Sequence, residues 1–427
     1  MPCCVRMLKI AIYGLGTVGQ GVIKILRTMD LEVEIAAVFD RSWQKKQAIL
    51  QGIFATDNVE TVLKRDDIDL HIELLGGIEL PLYIVRSAID KGKNVITANK
   101  ALLAEHGYTL FNLASRTNSK IGFEASIAGA IPVIRNLETV FRGQKITRLE
   151  GILNGTTNYI LTRMRQESKP YTEILSDAQN LGLAEADPTL DVSGMDATHK
   201  LAILSSLILN EWIDYRRIQT RGIEQIELND ILYAQKMGYR IRLVGQCEVR
   251  DGLKHVILEP MMISSRHFLW DIEMENNAVS LETEFAGPHL FVGKGAGQNP
   301  TAWSVISDIQ RQLTPNLPNF AEKPWQYGIP DDAGNIQSPF YVRALVKDEP
   351  GVLAKIAGIF ARHKISIATV HQDNPYNASQ SDGKTADLII VTHTAKRSEL
   401  LKSVEEITSL DEVSAPPVFI SVIEPEN

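Results

Sequence analysis

The segment from Leu181 to Lys200 carries the densest set of side chains able to do acid–base chemistry: Glu185, Asp187, Asp191, Asp196 and Lys200. Pro188 and Gly194 break its acidic loop, and a helix is expected from about Gly194 to Leu209. Asp196 and Lys200 stand four apart on that helix and so share a face. Ser193 with Asp196 could simply cap the helix, and an i,i+4 ion pair is ordinary on a surface. Yet Ile203 and Leu207 continue the stripe and the helix is apolar nearly all round, the pattern of a buried helix. A lysine on it, one turn from a carboxylate, can give or take a proton.

A second constellation lies near the start. Leu8–Tyr13 reads as a buried strand that runs straight into Gly14-Leu15-Gly16-Thr17-Val18-Gly19. Val18, Val22, Ile25 and Leu26 then recur at helical spacing. Such a turn lets the backbone approach a pyrophosphate whose charge sits at the helix N-terminus. Asp40 follows about 20 positions later, at the end of the Ile35 to Phe39 run, as dinucleotide binding requires.

The elements that position these groups follow from the apolar pattern. Runs at 35–39, 69–75, 94–97 and 120–125 alternate with helical segments, the signature of a doubly wound parallel sheet of Rossmann type. Ligands bind beyond the carboxyl ends of such strands, which places Gly76, Thr97, Asn99 and Lys100 on the cofactor side. Lys100 could also be a surface lysine opening a helix. Past residue 130 the alternation breaks. Lys145 to Leu153 reads as a strand, and Asn154-Gly-Thr156-Thr-Asn158 as a polar turn opening a helix.

Composition bounds the function. With 427 residues, two or three domains are expected. A formal net charge of −8 argues against nucleic acid as the main partner. The longest apolar stretch, Leu201 to Leu209, includes two serines and is too short to span a bilayer. Cys3, Cys4 and Cys247 offer neither metal-ligand spacing nor a disulfide framework. No apolar leader follows Met1, so a cytoplasmic enzyme is expected, with the first six residues a dispensable extension before Met7.

The residues then become recognisable. The chain resembles homoserine dehydrogenase over almost its full length, through Gly14 to Gly19, Thr97 to Ala104, Phe123 to Pro132, Gly151 to Leu161, Leu181 to Thr189 and the Gly-x-Asp-Ala-x-x-Lys run ending at Lys200. The resemblance implies reversible, NADP- or NAD-dependent reduction of L-aspartate 4-semialdehyde to L-homoserine. By matched position, Lys200 handles the proton at the substrate oxygen, with Lys100 and Asp196 as its catalytic company. Glu185, Asp196, Asn154 and Thr156 bind the amino acid. Gly14, Gly16, Thr17, Val18, Gly19, Asp40, Arg41, Thr97, Lys100, Gly182 and Gly297 face the cofactor. Glu124, Ile127, Gly129 and Ile131 match a stretch that in relatives binds a monovalent cation, sodium. Carbonyls of a small-residue loop are suitable hard ligands, whereas Glu124 alone could merely cap the turn after its strand.

Two departures from the family stand out, of which only the first bears on cofactor choice. Phe39 stands where relatives often carry a basic residue that meets a 2′-phosphate. Asp40 suits a ribose 2′-hydroxyl and Arg41 a 2′-phosphate, so cofactor preference stays open. Leu183 and His199 replace a common aromatic residue and a common arginine.

The expected organisation is a dinucleotide-binding domain (1–133), an α+β substrate and dimerisation domain (134–320), a linker (321–338) and a C-terminal module (339–427). A helix from Asn299 through Leu313, within a segment ending near residue 318, folds back on the first domain in the family. The C-terminal order β-α-β-β-α-β with Asp348-Glu-Pro350-Gly351-Val-Leu resembles the ferredoxin-like ACT regulatory domain. Feedback by L-threonine and a homodimeric or homotetrameric assembly are implied, and the module could instead serve assembly alone. A dinucleotide-binding amino-acid sensor without chemistry is the competing reading, which the intact Lys100, Glu185, Asp196 and Lys200 disfavour.

Overall fold

The computed structural model describes residues 7–314, 316–373 and 385–423. The chain forms two compact units, one from Met1–Thr147, Thr198–Arg217 and Asn277–Ile329, the other from Arg148–Ala197, Ile218–Asn276 and Pro330–Asn427.

The first unit holds a six-stranded parallel sheet. Its spatial order is Ala55–Thr56, Val33–Phe39, Leu8–Tyr13, Leu70–Glu73, Asn94–Thr97, Ile121–Gly122. Both faces are covered, so the strands read as continuous apolar runs. Ile10, Ile12 and Val38 pack on one face with Val22 and Ile23 of the Thr17–Leu26 helix. Ala302, Val305, Ile306 and Ile309 of the Gln298–Leu313 helix join that same core. Ala11, Tyr13, Ala37 and Phe39 meet Val62, Leu63 and Ile84 on the other face. The strand order reverses between Leu8–Tyr13 and Leu70–Glu73, the switch point at which such sheets bind ligands. The run expected over 120–125 shrinks to Ile121–Gly122 because the Asn319 side chain takes up the backbone of Ile121. Asp308 fills the space beside Gly122.

The second unit is built on a long antiparallel hairpin, Tyr239–Arg250 with Leu253–Ser264. Arg148 to Gly151 pairs on one side of it. On the other side the last strand, Val418–Ile423, joins in parallel, with Met261 opposite Ser421. That strand belongs to the C-terminal module, which has the expected β-α-β-β-α-β order. Phe340, Val342, Ile356, Phe360, Leu388, Ile390 and Leu400 form its core. Two buried carboxylates tie it to the hairpin side of the unit. Glu259 meets Arg397, and Asp230 meets both Arg343 and the Tyr341 hydroxyl. The polar stretch between the two middle strands of this module, which reads from sequence as a hairpin, falls largely on 374–384, outside the described residues, as does the extension before Met7.

Candidate functional site

The glycine turn has the geometry that close approach of a pyrophosphate requires. Gly14 sits at φ +109, and a Cβ there would strike the Leu74 carbonyl at 2.7 Å. A Cβ on Gly19 would meet the Gly14 carbonyl at 2.0 Å, so helix and strand touch backbone to backbone. Gly16, by contrast, faces open space and caps the Thr17–Leu26 helix without any side-chain hydrogen bond. Thr17 and Val18 begin that helix, leaving its first N–H groups for a ligand. Gly297, at φ +119, caps the Gln298–Leu313 helix, and the Gln298 side chain donates to the Thr17 carbonyl at 2.9 Å. The turn and the Gly297 cap are therefore neighbours.

Asp40 lies at the end of its strand as expected, and its carboxylate is already engaged. It accepts from Leu15 N at 2.8 Å, from Ser42 N and Oγ at 2.8 Å each, and pairs with Lys46. Burial alone would raise its pKa, but the Leu15, Lys46 and Ser42 hydrogen bonds outweigh that and hold it below the ordinary value. Arg41 is exposed.

At the neighbouring strand ends a residue appears that the sequence reading missed. Glu73 is fully buried and accepts from Thr97 Oγ at 2.6 Å and from Leu75 N at 2.6 Å. Burial raises its carboxyl to about 7 against both hydrogen bonds. Thr97 Oγ in turn accepts from Asn99 N, and Asn99 caps the Lys100–Thr117 helix through Leu102 N. Lys100 is thus the first residue of a helix whose start Glu73 anchors. The signal in the sequence was a lone acid ending an apolar strand.

In the second unit, Asn154 draws the acidic segment together. Its Nδ2 donates to Asp191 at 2.7 Å and to Asp196 at 3.0 Å, while its Oδ1 caps the Gly155–Glu167 helix. Thr156 Oγ donates to the Leu183 carbonyl at 2.9 Å and so pins the loop that holds Gly182, at φ +70. The Glu185 side chain is exposed, with its backbone carbonyl held by Gln179. The Met195–Leu209 helix carries Asp196 and, one turn on, Lys200, which are 9% and 7% exposed. Both are buried ionisable groups on a mainly apolar helix.

The Glu124 to Ile131 loop of the first unit is buried throughout except at Ala130. Glu124 lies just past the strand end, and its carboxylate caps the Val133–Glu138 helix, accepting from Ile134 N at 2.9 Å and Arg135 N at 2.8 Å. Its own N–H donates to Asp308. Gly129 needs its φ of +57, since a Cβ would strike the Lys294 carbonyl at 2.4 Å, and its carbonyl accepts from Ser304. Burial raises Glu124 to about 7, and burial with the nearby Glu124 charge raises Asp308 well above the usual carboxylate range. Among the described residues there is no cluster of three or more His, Cys, Asp or Glu able to hold a metal.

Comparison with known proteins agrees with this geometry. The family model described as homoserine dehydrogenase, NAD binding domain, matches residues 14–124, and the one described as homoserine dehydrogenase matches 132–310. An ACT domain model matches 340–409. The homoserine dehydrogenase of Neisseria gonorrhoeae is 34% identical over 97% of this chain and 98% of its own. The crystal structure of a homoserine dehydrogenase from Thiobacillus denitrificans superposes with a TM-score of 0.90 at 32% identity, covering 98% of each chain. A hyperthermophilic archaeal homoserine dehydrogenase in complex with NADPH matches at TM-score 0.62 and 25% identity, over 73% of this chain and 99% of that one. With a nucleotide-ready glycine turn, a lysine and a carboxylate buried on one helix, and relatives matching from end to end, the chain belongs to the homoserine dehydrogenase family.

Proposed function

We propose that the chain reduces the aldehyde of L-aspartate 4-semialdehyde to the alcohol of L-homoserine, with Lys200 managing the proton and Asp196, Glu185, Asn154 and Thr156 holding the amino acid. A nicotinamide dinucleotide, when bound, supplies the hydride for reduction and takes it in the reverse direction. The aldehyde carbon gains that hydride and its oxygen gains a proton, so Lys200 delivers one proton per turnover. An ammonium beside the oxygen also stabilises the charge that builds there before the proton moves. Lys100, at the first turn of its helix, adds positive charge beyond the carboxyl end of the Asn94–Thr97 strand. Glu185 supplies a carboxylate for the substrate ammonium. The observation that carries the reading is the near-complete burial of Lys200 one turn from an Asp196 that Asn154 holds in place.

The turn at Gly14 to Gly19, with Thr97 and Gly297, would hold the dinucleotide. The archaeal relative in complex with NADPH supports a place for NADP. The Glu124, Ile127, Gly129 and Ile131 oxygens would hold a sodium ion, whose charge would draw the buried Glu124 and Asp308 carboxyls, both raised by burial, toward their ionised forms. The ACT module would bind L-threonine as a feedback signal. Homo-oligomeric assembly is supported by Phe285, Leu290 and Val292, which stand exposed on or beside the edge strand Gly287–Lys294. Cytoplasmic placement follows the biosynthetic role, and no described helix is long and apolar enough to cross a membrane.

One assay tests the whole reading. The full chain is incubated with L-homoserine and either NADP or NAD, with and without threonine, and the reduced cofactor is followed by absorbance. Reduced cofactor formed only with homoserine supports the reading. Nucleotide binding without turnover would leave a sensor. Turnover untouched by threonine would leave the ACT module a role in assembly.

A further inference from the structure

A short segment of the second unit, Gln219 to Ile223, joins the C-terminal module to the acidic segment that leads into the Met195–Leu209 helix. Gln219 and Thr220 run parallel to Ile257 and Leu258 of the hairpin strand. Arg221 N donates to the Leu258 carbonyl at 2.8 Å, and Ile223 N donates to the Val192 carbonyl at 2.8 Å. Backbone packs on backbone here. A Cβ on Gly222 would strike the Val192 carbonyl at 2.0 Å and Ser193 Cα at 2.6 Å, and one on Gly194, at φ +85, would strike Leu258 at 2.7 Å. Val192 to Gly194 lie between Asp191 and Asp196, the two carboxylates that Asn154 holds at 2.7 and 3.0 Å.

The Arg221 side chain reaches the C-terminal module. Its Nε and Nη2 donate to Glu259 Oε2 at 3.0 and 2.6 Å, and its Nη1 donates to the Phe419 carbonyl at 2.9 Å. The guanidinium also stacks on Phe419, 3.9 Å from the ring centroid. Glu259 is shared with Arg397 and Ser421 of the same module. A planar fork held by a carboxylate, a carbonyl and a ring cannot shift without losing several contacts at once.

We propose that Arg221 is a positioning residue for the amino-acid substrate: anchored on the last strand of the module, it sets where the Gln219–Ile223 segment lies, and through Gly222 and Ile223 it fixes Val192 to Gly194 and hence Asp196. The proposal rests on the reading of Asp196 as a substrate-holding carboxylate. Close-packed backbone transmits small displacements rather than absorbing them. A shift of Gln219 to Ile223 therefore carries Val192 to Gly194 with it, and Asp191, Asp196 and Asn154, bonded to one another, move together. This role of the module needs no effector. None of these contacts involves the glycine turn, so nucleotide affinity is the internal control.

Steady-state kinetics of the full chain with L-homoserine, beside a direct titration of the nucleotide, tests this. Arg221→Met should raise the KM for homoserine about tenfold, the scale of one weakened hydrogen bond to a charged group. The kcat at saturating substrate and the nucleotide affinity should change less than about twofold. Arg221→Lys, which keeps one donor for Glu259, should recover part of the loss. Gly222→Ala presses on the Val192 carbonyl with Arg221 intact and should raise KM likewise, so the test does not depend on the folding of Arg221→Met. Ile356→Val, in the core of the module, should lower the melting temperature and leave KM unchanged. An unchanged KM in either Arg221→Met or Gly222→Ala, or an equal rise in Ile356→Val, overturns the proposal. If the wild-type chain does not oxidise homoserine at all, the functional reading itself fails and this inference with it.

Discussion

Arg397 and Glu259 face each other with two nitrogens on two oxygens, each at 2.7 Å, and neither side chain is more than 1% exposed. Arg397 opens a helix of the ACT module, while Glu259 sits in the hairpin strand Leu253–Ser264. Arg221 adds a second guanidinium to the same carboxylate and stacks on Phe419.

Removing one partner should therefore cost far more than a surface ion pair. Glu259→Gln leaves the buried Arg397 and the part-buried Arg221 guanidinium without their anion, and a loss of about 3–5 kcal/mol is expected in urea unfolding. Burial would raise Glu259, but Arg221 and Arg397 outweigh it and hold the carboxyl at about 2. A depressed native pKa means that the contribution is present above the unfolded value near 4 and is lost as pH falls toward 2. Wild-type stability should thus decline with acid in that window, and Glu259→Gln should flatten the decline. An equal slope in both would remove Glu259 from the account.

Glu73 should act with the opposite sign. Its native carboxyl is raised to about 7. Its contribution is therefore complete below the unfolded value near 4 and is lost as pH rises through 7. Glu73→Gln keeps an acceptor for Thr97 and cannot ionise. Its unfolding midpoint should change less than wild type between pH 5 and 8. A steeper profile in the variant would contradict the assignment.

Lys200→Ala is expected to lower kcat by about 10²-fold or more, the scale for removing a general acid, with cofactor affinity nearly unchanged. The measurement is steady-state kinetics beside a direct titration of the nucleotide. A raised KM at unchanged kcat would reduce Lys200 to a binding residue.

The cation site predicts a thermal effect. At pH 8 and equal ionic strength, sodium should raise the melting temperature over choline by mass action on the native state. Identical melting in both salts would leave Glu124 as the cap of the Val133–Glu138 helix and nothing more.

How much of this was legible in the sequence depended on distance along the chain. The glycine turn, Asp40 and the strands beginning at Leu8 and Asn94 are local patterns, and each lies where its residues put it. The Tyr239–Ser264 hairpin was not singled out, because both of its strands are buried on both faces over most of their length and so lack the alternation that marks a strand. The apolar run that starts at Ile365 reads as a strand, yet the strand begins only at Ile367. Lys364 takes a left-handed turn at φ +59, and Ile365 N bonds back to the Phe360 carbonyl, so these residues close the preceding helix. A glycine would have signalled that cap, whereas a lysine does not. Asp230 with Arg343, 113 positions apart, and Glu259 with Arg397 leave no trace that one-dimensional spacing can reveal.

The parallel pairing of Met261–Ile263 with Ser421–Ile423 also constrains how the chain is made. When Ser264 leaves the ribosome, the edge that Val418–Ile423 will cover is still bare, and the whole ACT module remains to be synthesised. At ~5–20 residues per second that interval is on the order of ten seconds or longer. Throughout it, one edge of that apolar strand is uncovered and the Glu259 carboxylate lacks Arg397. A nascent chain of this protein is thus most prone to misassociate late in translation, and a chaperone that shields strand edges would matter most over that interval.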